Sequence, residues 1–312
     1  MAKAKKSNPR IHQLTLRQFE AMFPDDDACK EYLVATRWPD GVVSCPRCGN
    51  TEVVEHGTRE FHWVCYACAE SSNYRFSVTV GTIFENTNVS LRQWFQVIHL
   101  MLTSKKGISA LQIFRLLGFG SYKTAWSMCH RIRAGMADED FRKLLGIVEV
   151  DETFVGGKAK NRHKDKRGGP NGTGSAGGRG MHGKTGVIGA VSRKGNVVAR
   201  VIGTVNRDKV PSFVRAAVSH KVSLLCTDQY FRYAPLSADY PHGVVNHSAG
   251  EYVVGAIHTN TIEGFWSLFK RGIMGAYHKV SAKYLPLYVA ELQFRYNNRK
   301  NPAIFEAAIQ GC

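Results

Sequence analysis

The spacing of apolar positions changes several times along the chain, and each change marks an element. Leu16, Phe19 and Met22 recur at helical spacing behind Thr15, a suitable cap, and Pro24 interrupts them. Residues 14–37 therefore predict a short helical preface. Val53 and Val54, then Phe61 to Val64, predict two short strands, and residues 75–80 predict a third. From Ser90 the period becomes helical: Leu91, Trp94, Phe95, Ile98 and Leu102 share one face, and Gly107 ends the pattern. A second helix opens at residues 108–110 and carries Leu111, Ile113, Phe114, Leu116 and Leu117. After the turn Gly118-Phe119-Gly120, Ser121 can cap a third helix running from Tyr122 to about Met136. Helix, glycine turn, helix is the outline of a helix-turn-helix.

Past Leu144 the pattern changes to strands. They are expected at 147–155, at 187–192 and 196–203 around the turn Arg193-Lys194-Gly195, at 222–228 and, briefly, at 243–247. Helices are expected at 208–220, 259–273 and 280–299. Three early strands at hairpin distance, a helix, then two strands followed by helices is the order of an RNase-H-like α/β domain with a mixed five-stranded sheet. Residues 156–186 interrupt this order with a long loop holding eleven glycines, eight Lys or Arg and one acid, Asp165.

Composition narrows the partner. Lys and Arg number 42 against 25 Asp and Glu, a net charge of +17 that suits a polyanion, and DNA is the expected one. Apolar residues at 44% allow a sizeable core. No apolar run is long enough to span a bilayer. The basic start, residues 1–10, lacks the apolar stretch of a secretory signal, so a cytoplasmic protein is expected.

Four of the eight cysteines form two C-x-x-C knuckles, Cys45/Cys48 and Cys65/Cys68, separated by sixteen residues. This is the spacing of a four-thiolate Zn2+ site, and Gly49 permits the turn after the first knuckle. Four protein ligands leave no open position, so the zinc is structural. His56 and His62 read as surface residues beside it.

The second metal chemistry depends on carboxylates. Cutting a phosphodiester without a covalent intermediate calls for an activated oxygen nucleophile and a stabilised leaving oxygen, which two hard cations held by acids supply. Asp151 lies in the first strand of the α/β domain, where an acid is costly unless it binds something. Asp228 ends the fourth strand, and Glu263 begins a later helix. The separations are 77 and 35 residues. Glu149 points to the same side of its strand as Asp151 and Glu152 to the other, and both read as solvated strand-edge charges. Mg2+ is the expected ion, with Mn2+ able to substitute.

These residues carry a family resemblance. The stretches Val150-Asp151-Glu152-Thr153-Phe154-Val155-Gly156-Gly157, Thr227-Asp228, the run from His258 through Asn260, Glu263 and Trp266 to Arg271, and Phe294-Arg295-Tyr296-Asn297-Asn298-Arg299 resemble the zinc-ribbon insertion-sequence transposases of the ISXO-like group, within the DDE superfamily. The two knuckles, residues 80–84 and residues 122–126 fit as well, so the resemblance spans roughly residues 30 to 300. It implies Asp151, Asp228 and Glu263 as the metal-binding triad, with Asn260 as the alternative third ligand. Lys270 is implied as the basic residue that contacts DNA near the reacting phosphate, and at least a dimer is implied, because two element ends must be brought together.

The domain plan that follows is an N-terminal arm and short helix (1–37), a zinc ribbon (38–82), a helix-turn-helix region (83–143), an RNase-H-like catalytic domain (144–303) and a C-terminal tail (304–312). Lys123, Arg131 and Arg133, with Lys105, Lys106, Gln112 and Arg115, decorate the helix-turn-helix as candidate DNA contacts. Lys158, Lys164, Lys166 and Arg167 do so in the cationic loop, and Arg271 does so beside Lys270. Two other readings use the same residues: an RNase-H-like nuclease that cuts without joining strands, and a zinc-ribbon DNA-binding regulator with an inactive catalytic domain.

Overall fold

The structure is a computed structural model. It describes residues 14–70, 74–137, 141–157, 184–203, 205–206, 208–228, 231–245, 253 and 255–312. The cationic loop, with Lys158, Lys164, Lys166 and Arg167, lies outside the described residues. The chain divides into two compact units: residues up to Ala137 together with Asn298–Cys312, and Asp138–Asn297.

The first unit opens with α1 (Leu16–Met22) and α2 (Asp26–Arg37). Thr15 closes a capping box with Gln18, and Asp25 caps α2. A three-stranded antiparallel sheet follows, β1 (Val53–Glu55), β2 (His62–Cys65) and β3 (Arg75–Ser77). The third strand is shorter than the expected 75–80, because residues 78–80 leave the sheet in a turn. Trp63 packs between Trp38 and Phe76, a small aromatic core for a ribbon too short to build a larger one. Then come α3 (Leu91–Thr103), α4 (Ala110–Leu117) and α5 (Tyr122–Gly135), capped by Ser90, Ser109 and Ser121. Gly118 ends α4 at φ +64°, a left-handed C-terminal residue where glycine avoids strain.

Residues 304–312, expected as a tail, belong to this unit and form α9 (Ile304–Gln310). Ile304, Phe305, Ala308 and Ile309 make one buried face. The Phe305 ring lies among those of Phe19, Phe23, Tyr32 and Phe95 at centroid distances of 5.6–6.2 Å. Backbones meet closely at the same place: a Cβ on Gly135 would stand 2.7 Å from the Gly311 carbonyl oxygen.

The second unit is built on a five-stranded sheet of β4 (Ile147–Val155), β5 (Thr185–Ser192), β6 (Val197–Gly203), β7 (Leu224–Asp228) and β8 (His242–Val245), in spatial order β6-β5-β4-β7-β8. The first three strands run antiparallel, while β7 and β8 join parallel, giving the mixed sheet expected of an RNase-H-like domain. One face buries Val148, Val150, Ile188 and Ala190 against α6 (Lys209–Ala217) and the 3-10 segment Phe231–Ala238. The other face buries Val187, Val191, Val197 and Ala199 under α7 (Asn260–Gly272) and α8 (Leu285–Asn297). The helix expected over 280–299 is trimmed to α8, with Pro286 in its first turn, where no helical N–H is needed.

Two features place α7 and α8. A Cβ on Gly189 would lie 2.8 Å from the Trp266 ring, so glycine is what lets α7 lie flat on β5. At the free edge of the sheet, Gln293 accepts from Ala199 N–H (2.8 Å), and Asn297 both accepts from Val197 N–H (2.8 Å) and donates to its carbonyl (3.0 Å). Those side chains occupy backbone groups that would otherwise invite another strand.

Phe305→Ala is expected to destabilise the first unit by about 3–5 kcal/mol, the usual cost of removing a buried aromatic ring. Urea unfolding followed by tryptophan fluorescence measures this, and an unchanged midpoint would show that α9 is dispensable.

Candidate active site and metal centre

The four knuckle cysteines come together. Their sulfurs all lie within 4.8 Å of one another, and among the described residues this is the only set of three or more Cys, His, Asp or Glu side chains gathered so closely. The first knuckle closes through Cys45 N–H to Asn50 O and Gly49 N–H to Cys45 O, both 2.8 Å, with Gly49 at φ +73°. The second lies on the end of β2 and the 3-10 turn Tyr66–Cys68. Hydrogen bonding from the Asn50 backbone pulls the Cys48 thiol down to about 7, and hydrogen bonding with Cys48 pushes Cys68 up to about 12. A thiolate stabilised among three other sulfurs is a donor set suited to a soft dication, and zinc fits it.

In the second unit β4 has two characters. Val148 and Val150 enter the apolar layer on one side, whereas Glu149, Asp151 and Thr153 face α7 on the other. Asp151 pairs with Gly189 across β5, the position against which Trp266 packs. On the other flank the parallel register sets Glu149 beside Cys226, and Asp228 ends β7 two residues further on. Glu263 is the acid in the first turn of α7 and accepts from Thr259 Oγ1 at 2.9 Å. Burial, then the negative charges of Glu152, Asp228 and Glu263, push the Asp151 carboxyl up to about 7. The three predicted acids thus share one electrostatic neighbourhood, though their oxygens are spread more widely than the ribbon sulfurs. A crowd of partly buried carboxylates that raises one member's affinity for protons is also a site that favours a hard dication.

Both neighbouring glutamates overturn the sequence expectation of solvated edge charges. Glu149 is fully buried and accepts four hydrogen bonds, from Arg193 Nε (2.7 Å), Thr261 N–H (2.7 Å), Thr261 Oγ1 (2.9 Å) and Ile262 N–H (3.0 Å), and His258 Nδ1 lies 3.2 Å from the same carboxylate. It satisfies the open backbone donors at the start of α7, which a 2.0-residue strand period cannot reveal because the partners lie over a hundred residues away. Glu152 accepts from the Tyr233 hydroxyl. Tyr233 is itself held well above the usual phenol range by burial and by the charges of Glu152, Asp151 and Asp228. The available signal was an acid in an otherwise apolar strand, and it pointed equally to Glu149 and Asp151.

The remaining predicted residues divide by exposure. Asn260, Lys270 and Arg271 are exposed on α7, with Lys270 two turns beyond Glu263. Lys105, Lys106, Gln112, Arg115 and Lys123 are exposed around α4 and α5. Arg131 is half-buried, donating to the Glu85 carbonyl (2.8 Å) and lying 5.2 Å over the Trp94 ring. Arg133 is 1% exposed, so the expected DNA contact is not available there. It falls on the stripe Ala125, Met128, Cys129, Ile132 and Met136, which the 3.6-residue period turns inward.

The profile of the ISXO2-like transposase domain matches residues 143–297, the span of the second unit, and that of the transposase zinc-ribbon domain matches residues 24–71. An uncharacterized protein in the transposable element ISH50 of Halobacterium salinarum is 29% identical over 295 residues, which is 90% of this chain and 94% of that protein. No solved structure matches the chain significantly. Among the described residues no helix is long and apolar enough to cross a membrane. With a four-cysteine ribbon ahead of a mixed five-stranded α/β unit, and both matched by transposase families, the chain belongs to the ISXO2-like family of zinc-ribbon transposases.

Proposed function

We propose that this protein binds the terminal inverted repeats of an insertion sequence, cleaves the DNA strand there and joins the freed end to target DNA. The observation that supports this best is that Asp151, in the central strand of the sheet, is largely buried in the field of Glu152, Asp228 and Glu263. Asp151, Asp228 and Glu263 hold the divalent ions in this reading, with Asn260, one turn before Glu263, as the alternative third ligand. Mg2+ bound there, or Mn2+ in its place, would supply activation of the attacking oxygen and stabilisation of the leaving oxygen. The protein's own part is to hold the acids in register and to bring cations to the DNA. Lys270 and Arg271 extend from Glu263 along the exposed side of α7 and take the phosphates beside the scissile bond.

Recognition falls to the helix-turn-helix. The start of α5, where Tyr122, Lys123 and Ser127 are exposed, enters the major groove, and Lys105, Lys106 and Arg115 neutralise the flanking backbone. Lys158, Lys164, Lys166 and Arg167 add contacts without reading sequence. The ribbon, with one structural zinc per chain, supports the assembly of a dimer or larger complex that holds two ends. The protein acts in the cytoplasm, where its DNA is.

Asp228→Ala is expected to lower end cleavage by more than the roughly 10–100-fold typical of losing a ligand's outer partner. An assay with labelled element ends and a plasmid target checks it. Cleavage without joined product in the wild type would mark a nuclease, and equal activity in the variant would overturn the assignment of the acids. A second expectation concerns pH. The Asp151 proton leaves near 3.8 in the unfolded chain and near 7 in the folded one. Ionisation therefore drains stability as pH rises from about 4 to about 7. Without added Mg2+, Asp151→Asn should melt higher than wild type at about pH 8, with the gap closing toward pH 4, and thermal scans at both ends measure it.

Metal analysis of the purified chain should find about one zinc, and Cys65→Ser should release it. The released ribbon should expose Trp38 and Trp63, which are 7% and 5% accessible when folded, and red-shift the fluorescence.

A further inference from the structure

We infer that Glu149, Arg193 and Thr259 form a positioning device that sets Glu263 against Asp151. The inference rests on the assignment of Asp151, Asp228 and Glu263 as the metal-holding acids.

Glu149 and Asp151 stand two residues apart on the same face of β4. Both Glu149 oxygens are used: Oε2 accepts from the backbone N–H groups of Thr261 and Ile262, and Oε1 from Arg193 Nε and Thr261 Oγ1. Arg193, from the turn between β5 and β6, also donates through Nη2 to the His258 carbonyl at 3.1 Å. The backbone is therefore fastened on both sides of Thr259. That residue is 2% exposed, and its hydroxyl donates to Glu263 Oε1 at 2.9 Å. An acid exposed on the surface of α7 inherits its place from a carboxylate buried in the strand that carries Asp151.

An ion pair with one partner fully buried and the other largely so is a poor source of stability, since well-packed apolar residues of similar volume serve as well. What this one provides is geometry. The start of a helix is tied to one strand at two successive N–H groups, which a hydrophobic contact would leave free to slide. Metal-binding constellations function only when their members are held within about 0.5 Å.

The test uses the full-length, zinc-loaded protein. Thr259→Val keeps the shape of the side chain and removes the hydrogen bond to Glu263, and Arg193→Met removes the fastening at His258. Binding of Mn2+ alone is followed by electron paramagnetic resonance, and end cleavage is measured at saturating DNA. Thr259→Val is expected to melt near wild type, to bind Mn2+ about tenfold more weakly and to lose cleavage in proportion, with affinity for end DNA unchanged. Thr259→Ser should restore both, and Arg193→Met should weaken Mn2+ binding at least as far as Thr259→Val. If Arg193→Met fails to fold, Thr259→Val decides. Mn2+ binding and cleavage by Thr259→Val within about twofold of wild type would overturn the inference. Asp228→Ala run in parallel separates the two readings. If it binds Mn2+ as wild type does, the acid site itself falls. If it does not while Thr259→Val does, only the positioning role falls.

Discussion

A single buried carboxylate organises the second unit. Glu149 lies beneath the start of α7, and its charge is balanced by Arg193 and by the open N–H groups of the helix. Removing either side would leave a buried charge or unpaired donors, both costly in a low-dielectric interior. The helix that carries Glu263, Lys270 and Arg271 therefore starts where β4 dictates, and β4 is also the strand of Asp151. The close seat of Trp266 over Gly189 completes the attachment a turn further on.

The same face shows how stability and chemistry compete. On one side of β4 Val148 and Val150 close a core with α6, while the other is lined with Glu149, Asp151 and Thr153. Of the two acids there, one is fully compensated by hydrogen bonds. The other stands in the field of Glu152, Asp228 and Glu263, and its carboxyl holds a proton up to about 7. The contrast is one of environment: one acid is satisfied by hydrogen bonds, and the other is crowded by neighbouring carboxylates.

The first unit solves a different problem. Its sheet has three strands of three or four residues, too few to bury much surface. Four sulfurs gathered within 4.8 Å and the packing of Trp38, Trp63 and Phe76 take the place of a larger core. The three helices that follow are closed by the chain's own end, because Phe305 of α9 completes an aromatic cluster begun by Phe19 and Phe23.

How much of this was legible depends on the range of the forces involved. The sequence by itself determined the serine cap at 121, the turn at Gly118, the span of β4 and the two cysteine knuckles, because capping, periodicity and knuckle spacing act within a few residues. It marked β4 as a strand carrying acids, but that signal pointed equally to Glu149 and Asp151, and the choice of Asp151, Asp228 and Glu263 came from the family resemblance. Only the tertiary structure decided that Glu149 is buried, that Arg133 faces inward and that residues 304–312 complete the N-terminal unit. Each of those outcomes is settled by a partner brought close by folding, so no window of sequence holds both halves of the contact.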